Sequence, residues 1–283
     1  MEDKIMVSLA NKATRFRTVV LASDGAYVPT ECTNVAQNDS TYAGYVERIR
    51  SFRERIWQAD GAIPQNGQDP HMDHFASFDE VGCHAILMNG ADELVGCARY
   101  LMWDLRSGNF RLEQLALFPF LTRMASEQRA LFVSAIQYFL DDSLARSPVS
   151  YRRLMESGGW AVDRREENRY AAPLLVAIGF ALGLSNLCLV GLSAATVRHR
   201  SNSILKRLGM FELRYRSQAL PTFFDPYHGC DMEILGSCRS PSQLIGPTVA
   251  DYTGNFADIE VLTRQSAEMN QRRQTSREST MFA

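Results

Sequence analysis

Glu156 heads the stretch of the chain in which residue types and spacing suggest chemistry. A short apolar run follows it, Gly159 to Val162, then a charged turn, Asp163 to Arg169, then an apolar helix. Arg164, Arg165 and Arg169 lie in that turn. Guanidinium groups and the first amides of a helix together suit an anionic group such as the phosphate of an acyl carrier. Further along, a Ser185–Asn186 break, a second apolar strand and a basic helix ending at Gly209 complete a strand–turn–helix–strand–helix unit over 156–210.

The flanking pattern predicts the elements that hold this unit. Phe16–Leu21 reads as a strand. Tyr45, Ile49, Phe52 and Ile56 recur at helical spacing, so a helix is expected from about Tyr42 to Trp57, capped by Ser40 or Thr41. Residues 60–80 read as a long loop carrying Asp69, His71, Asp73, His74 and Asp79. Their spacing matches no metal-ligand motif, and no metal is expected. Cys83–Met88 and Leu94–Met102 read as a hairpin turning at Asn89–Gly90. Residues 104–124 read as irregular. A helix is expected over Ser126–Ala145, with Leu131, Ala135, Tyr138, Phe139 and Leu144 as its apolar stripe. Strands are expected at Phe211–Arg216 and Cys230–Leu235, on either side of a loop at Pro221–Tyr227.

This order implies one α/β (α+β) domain over 1–240, with a central mixed, mostly antiparallel twisted sheet flanked by helices. Residues 241–283 read as a C-terminal extension, partly disordered or helical. The 283 residues are 46% hydrophobic, enough for a sizeable core, and a net charge of −2 gives no ground for bulk nucleic-acid binding. The six cysteines form no Cys-x-x-Cys pair, and a reducing, cytoplasmic setting is expected. The run Ala171–Ala195 is long and apolar enough to test as a membrane span. The Ser185–Asn186 break makes it a buried helix followed by a buried strand.

Several strings together resemble a known family. Trp160-Ala-Val-Asp163, the charged turn and Asn168-Arg-Tyr-Ala-Ala172 look like the acyl-carrier loop of the GNAT acyltransferase superfamily, without its usual glycines. Arg48, Phe52 and Trp57 on one helix, Asp79 before the hairpin, Val95-Gly-Cys-Ala-Arg99 in its second strand and Glu156 ahead of the central strand resemble the acyl-homoserine lactone synthases and the related N-acyl amino acid synthases. Gly159 stands where those proteins usually carry an arginine. The segment from Pro221 through Asp225 to Leu235 looks more like the N-acyl amino acid synthase branch.

The resemblance implies a GNAT-like fold and an N-acyltransferase. It would move a fatty acyl group from an acyl-carrier-protein thioester to the amine of a small amino-acid-type acceptor. A lactone synthase using S-adenosylmethionine, or an inactive acyl-binding or regulatory module on the same fold, are the alternatives. No cofactor is implied; acyl carrier protein or acyl-coenzyme A would be the co-substrate. Glu156 would be the catalytic base. Asp79 and Arg99 would hold the acceptor, or pair with one another; Arg48 carries the same ambiguity. Phe52 and Trp57 would wall the acceptor pocket or belong to the core. Backbone amides of Trp160, Ala161 and Val162 would face the thioester oxygen. Arg164, Arg165, Arg169 and Tyr170 would meet the phosphopantetheine arm or the carrier. The acyl chain would lie between the Ser126–Ala145 helix and the helix after Tyr170.

Overall fold

Alternating buried side chains along neighbouring strands build the frame. The computed structural model describes residues 15–23, 28–29, 31–63, 77–226 and 228–264. The strands are β1 (Arg17–Ala22), β2 (Val35–Gln37), β3 (Cys83–Met88), β4 (Leu94–Asp104), β5 (Arg153–Val162), β6 (Cys188–Thr196), β7 (Met210–Glu212), β8 (Arg214–Tyr215), β9 (Gln218–Ala219), β10 (Phe223–Asp225), β11 (Cys230–Ser237) and β12 (Glu260–Thr263). The main sheet runs β10-β11-β6-β5-β4-β3-β1-β12-β2, with β7 joined to β11. The pairs β5–β6, β1–β12 and β2–β12 are parallel. The remaining pairs of that sheet are antiparallel, and β8–β9 forms a separate ribbon. The chain is therefore a mixed α/β fold, as its element order implied.

Among the described residues, six helices have defined ends: α1 (Asp39–Ala59), α2 (Phe118–Thr122), α3 (Ser126–Arg146), α4 (Ala171–Ser185), α5 (Ser201–Arg207) and α6 (Gly246–Gly254). Helix α1 starts earlier than expected. Asn38 caps it, its side-chain oxygen accepting the Thr41 amide at 3.0 Å. Tyr42, Val46, Ile49 and Phe52 are buried on one stripe of α1, against Val19, Leu21, Ile86 and Cys97. Helix α3 covers the same face further along, through Phe132, Ala135, Ile136 and Leu140. Its buried stripe is rotated one residue from the expected one, and Leu131 and Tyr138 are exposed. Helix α4 lies on the opposite face against Tyr100, Met102 and Met155. It is covered on nearly every side, which accounts for its unbroken apolar sequence.

Several strands depart from expectation. β5 begins at Arg153, six residues before the expected Gly159, so Glu156 lies inside the strand. The expected strand at Phe211–Arg216 divides into β7 and β8, and the expected loop at Pro221–Tyr227 contains β10. The β3–β4 turn is a five-residue loop in which Asn89 accepts the amides of Ala91 and Glu93. The left-handed position there is Asp92, at φ 60°, rather than Gly90. Residues 246–263 return to the body of the fold: α6 packs on α4, and β12 pairs with β1 and β2. No helix among the described residues is long and apolar enough to cross a membrane. Asp69, His71, Asp73, His74 and the segment 265–283 lie outside the described residues.

Candidate active site

The central strands part where the sequence placed its chemistry. β5 and β6 pair in parallel only as far as Ser157 with Ser193. Beyond that, β5 continues along β4 to Val162 and β6 along β11 to Thr196. The opening leads into a cavity of about 440 Å³ whose walls include Glu156–Val162 and Ser193–Thr196. One extra residue in β5 bends it away: Cys97 pairs with Ala161 but Arg99 with Gly158. Gly159 sits in this bulge at φ 57°, a left-handed conformation that glycine adopts without strain.

Glu156 projects from the face covered by α1 and α3, as its neighbour Leu154 does two residues earlier. It is 4% exposed and lines the cavity. Its two carboxylate oxygens accept the backbone amides of Ala116 at 2.8 Å and Leu117 at 2.6 Å. Burial pushes its pKa up to about 7, against the opposing pull of those amides and of Arg99. At neutral pH this carboxyl exchanges protons easily, which is the property a general base or acid needs. The amides come from the irregular segment before α2, forty residues away in sequence.

Beside Glu156 lies a buried charge network. Asp79 accepts from Arg53 Nη1 at 2.6 Å and from Arg99 Nη1 at 3.1 Å, and both arginines are 2% exposed. His84 Nε2 meets the Asp79 carbonyl at 2.9 Å, and its Nδ1 meets Arg53 at 3.3 Å. A carbonyl only accepts and a guanidinium only donates, so the ring carries its proton on Nε2. Burial and the neighbouring Arg53 push its pKa down to about 4, so it is neutral. Asp79 is held at about 2: Arg53 and Arg99 outweigh the burial that pushes it up. Asp79 thus faces two fully buried arginines, with Arg50 3.7 Å from its other oxygen. Arg99 continues from this network into the cavity wall, where it also faces Glu156.

The expected acceptor residues divide. Arg99 and Trp57 line the cavity, and the Trp57 indole donates to the Trp160 carbonyl at 3.2 Å. Asp79 lies behind the wall, committed to the two arginines. Phe52 is core. Arg48 lies on the exposed side of α1 over Tyr45, donating to the Asp92 carbonyl at 2.9 Å. The arginine that faces inward is Arg53, five residues later and roughly 140° further round the helix.

The expected carrier residues divide as well. Trp160, Ala161, Val162, Arg164 and Arg169 line the cavity or its mouth. Arg165 is tied to Asp163 at 2.7 Å, and Arg164 to Asp60 at 2.8 Å. Tyr170 carries the Arg169 guanidinium on its ring and packs against the core behind α4. Helix α4 supplies part of the cavity's apolar wall, through Leu175, Val176, Gly179 and Phe180, while α3 contributes none of it. α3 is instead spent on the core over Leu154 and Leu189.

Some residues of the site were given no role by the sequence. Asn168, quoted only as part of a motif, is 2% exposed in the cavity wall, and its side-chain nitrogen is a buried donor without a hydrogen-bond partner among the described residues. Arg53 and His228 were likewise passed over. A buried arginine at helical spacing from Ile49 was the signal for Arg53, hidden because four arginines share that helix.

No protein-family model and no curated protein matches the chain. Solved structures do resemble it. One is FeeM, an N-acyl amino acid synthase from uncultured soil microbes, at 13% identity and a TM-score of 0.43, covering 69% of this chain and 86% of that one. Another is the AHL synthase LasI, at 11% identity and 0.43, covering 72% and 87%. A third is MesI, a CoA-dependent acyl-homoserine lactone synthase, at 11% identity and 0.44, covering 84% and 95%. Likeness at this level assigns no residue a role; the site geometry carries the functional reading.

Proposed function

We propose that the protein is an N-acyltransferase that moves a fatty acyl group from the thioester of an acyl carrier protein to the amine of an amino-acid-type acceptor. The observation that carries this is Glu156. It is a carboxyl poised near neutrality, inside a cavity opened by two parting strands, with Arg99 in the same wall. An attacking amine must first lose a proton, and Glu156 takes it. Arg99, in the cavity wall, offers a guanidinium to an acceptor's carboxylate. The thioester enters between β5 and β6, where strand amides without a neighbouring strand stand ready for the developing oxyanion. The acyl chain lies along the apolar residues of α4.

The donor reading rests on the turn 163–170, which contains no glycine. Close backbone approach to a pyrophosphate is therefore restricted. Its exposed arginines suit the acidic surface of a carrier protein better than they suit coenzyme A.

Purified protein incubated with acyl carrier thioester and a panel of amino acids tests the proposal, read as free thiol released. Release that requires an amino acid supports it. Release only with S-adenosylmethionine moves the acceptor to the lactone-forming class. No release, with a long acyl chain co-purifying, leaves a binding module.

A further inference from the structure

Trp103 stands beside Glu156 on one face of the sheet. On β4 it pairs with Leu154 of β5, and Leu101 pairs with Glu156. Opposed side chains share a face, so Trp103 takes one diagonal position next to Glu156, and a ring of its size spans that diagonal. Arg99, paired with Gly158, takes the other. The Trp103 ring packs on the core that contains Leu154, its centre 6.4 Å from that of Phe110. Its indole nitrogen is buried and makes no well-formed hydrogen bond among the described residues. That N–H nevertheless favours the charged form of Glu156, as do the Ala116 and Leu117 amides and Arg99, all against the larger effect of burial.

A buried indole N–H ordinarily finds an acceptor, and the group beside this one is a carboxylate. The two amides take one site on each Glu156 oxygen, whereas an ionised carboxylate has about four. With Glu156 neutral, the indole gains little from the contact. With Glu156 ionised, the contact becomes a charge-assisted hydrogen bond.

We propose that Trp103 is a positioning residue for Glu156: its indole N–H binds the ionised carboxylate and holds it ready to take the proton of the attacking amine. The inference rests on the acyl-transfer reading above. In the step, a proton passes from the acceptor's ammonium group to a Glu156 oxygen, the carboxylate becomes a neutral acid and the indole contact slackens. Solvent then removes that proton and the contact tightens again. Arg99 faces Glu156 from β4, with Asp79 and Arg53 behind it. β6 sets Leu192 opposite Glu156, and the segment before α2 offers it amides. Asp60, Asp163, Arg164, Arg169, His199 and His228 line the same cavity. All of these groups are common to wild type and the Trp103 variant compared below.

The test has two readouts. In isotope-labelled protein the three tryptophans give three indole N–H signals. The one lost in Trp103→Phe belongs to Trp103; should that variant not fold, Trp57→Phe and Trp160→Phe assign the signal by elimination. It should move as pH rises through about 7 in wild type and stay still in Glu156→Gln. The second readout is the pH profile of acyl transfer. In Trp103→Phe the rising limb of kcat/KM should move up by about one pH unit, the scale of a lost hydrogen bond to a charged group. On the acid side that is a loss of about tenfold. The loss shrinks as pH rises, because Glu156 is then ionised in both proteins. A misfolded fraction lowers the rate at every pH and leaves the limb in place. A limb that does not move, or an indole signal indifferent to Glu156, overturns the role of Trp103 while leaving acyl transfer intact. A wild type that transfers no acyl group to any amine overturns acyl transfer itself, and the role of Trp103 with it.

Discussion

Arg53 occupies the space that a side chain at position 159 would fill. A Cβ placed on Gly159 would lie 2.8 Å from the Arg53 Cζ and 2.9 Å from its Nη2. The guanidinium comes from helix α1, and the bulge carries no side chain there, which leaves it room. The glycine is thus the steric complement of a buried arginine.

That relationship predicts coupling. Gly159→Arg forces a side chain into a left-handed position, costing about 1–3 kcal/mol. It also collides with Arg53, which adds about 1–3 kcal/mol of overpacking. Arg53→Ala removes the collision. In urea unfolding, the double variant should be more stable than the sum of the two single effects. Strict additivity would mean the two positions do not compete for space.

Asp79 should govern acid stability. Its folded pKa of about 2 lies below the unfolded value of about 3.9. The stabilisation is therefore complete above about pH 4 and is lost as pH falls through about 2. Asp79→Asn leaves two buried guanidiniums without their carboxylate and should cost about 3–5 kcal/mol at neutral pH. It should also flatten the stability curve between pH 4 and 2. A variant as stable as wild type would show that Arg53 and Arg99 have other partners of equal strength.

Glu156 has the opposite sign. Its raised pKa means that the folded protein keeps a proton the unfolded chain has already lost. Its contribution therefore lowers stability as pH rises from about 4.3 to about 7. As a base it works only when ionised, so kcat/KM should climb through about pH 7 and level off above it. Glu156→Gln should cut kcat roughly 100-fold or more, with carrier binding little changed, and should abolish that limb. An unchanged limb would assign it to the acceptor amine instead.

The turn arginines should read the carrier. Arg164→Glu should raise KM for acyl carrier protein several-fold, and the effect should shrink as salt screens the contact. With a short thioester lacking the carrier, KM should stay near the wild-type value. Equal effects on both donors would place Arg164 against the pantetheine arm rather than the protein surface.

Local pattern made much of the frame legible. Helix α1 follows from apolar periodicity, the β3–β4 hairpin from two strand-like runs around Asn89–Gly90, and α4 and β6 from one apolar run broken at Ser185–Asn186. The site was legible in its residues more than in its geometry. Glu156 read as standing ahead of β5 rather than inside it, because the amides of Ala116 and Leu117 that let it be buried are distant in sequence. Arg53 hid among the arginines of α1, since periodicity counts apolar residues and a buried charge breaks its rule. β12 hid in a polar tail because a strand of four residues leaves almost no pattern, although it pairs on both sides, with β1 and β2. The bulge at Gly159 depends on its pairing with β4, which no single strand encodes.

The most direct test is to identify the product. Wild-type protein, long-chain acyl carrier thioester and single amino acids are incubated, and the products are resolved by mass spectrometry alongside those of Glu156→Gln. The account predicts an N-acyl amino acid, amide-linked, formed by wild type and nearly absent with Glu156→Gln. Thioester left intact in the presence of every amine offered, or the same yield of amide from both proteins, would contradict it.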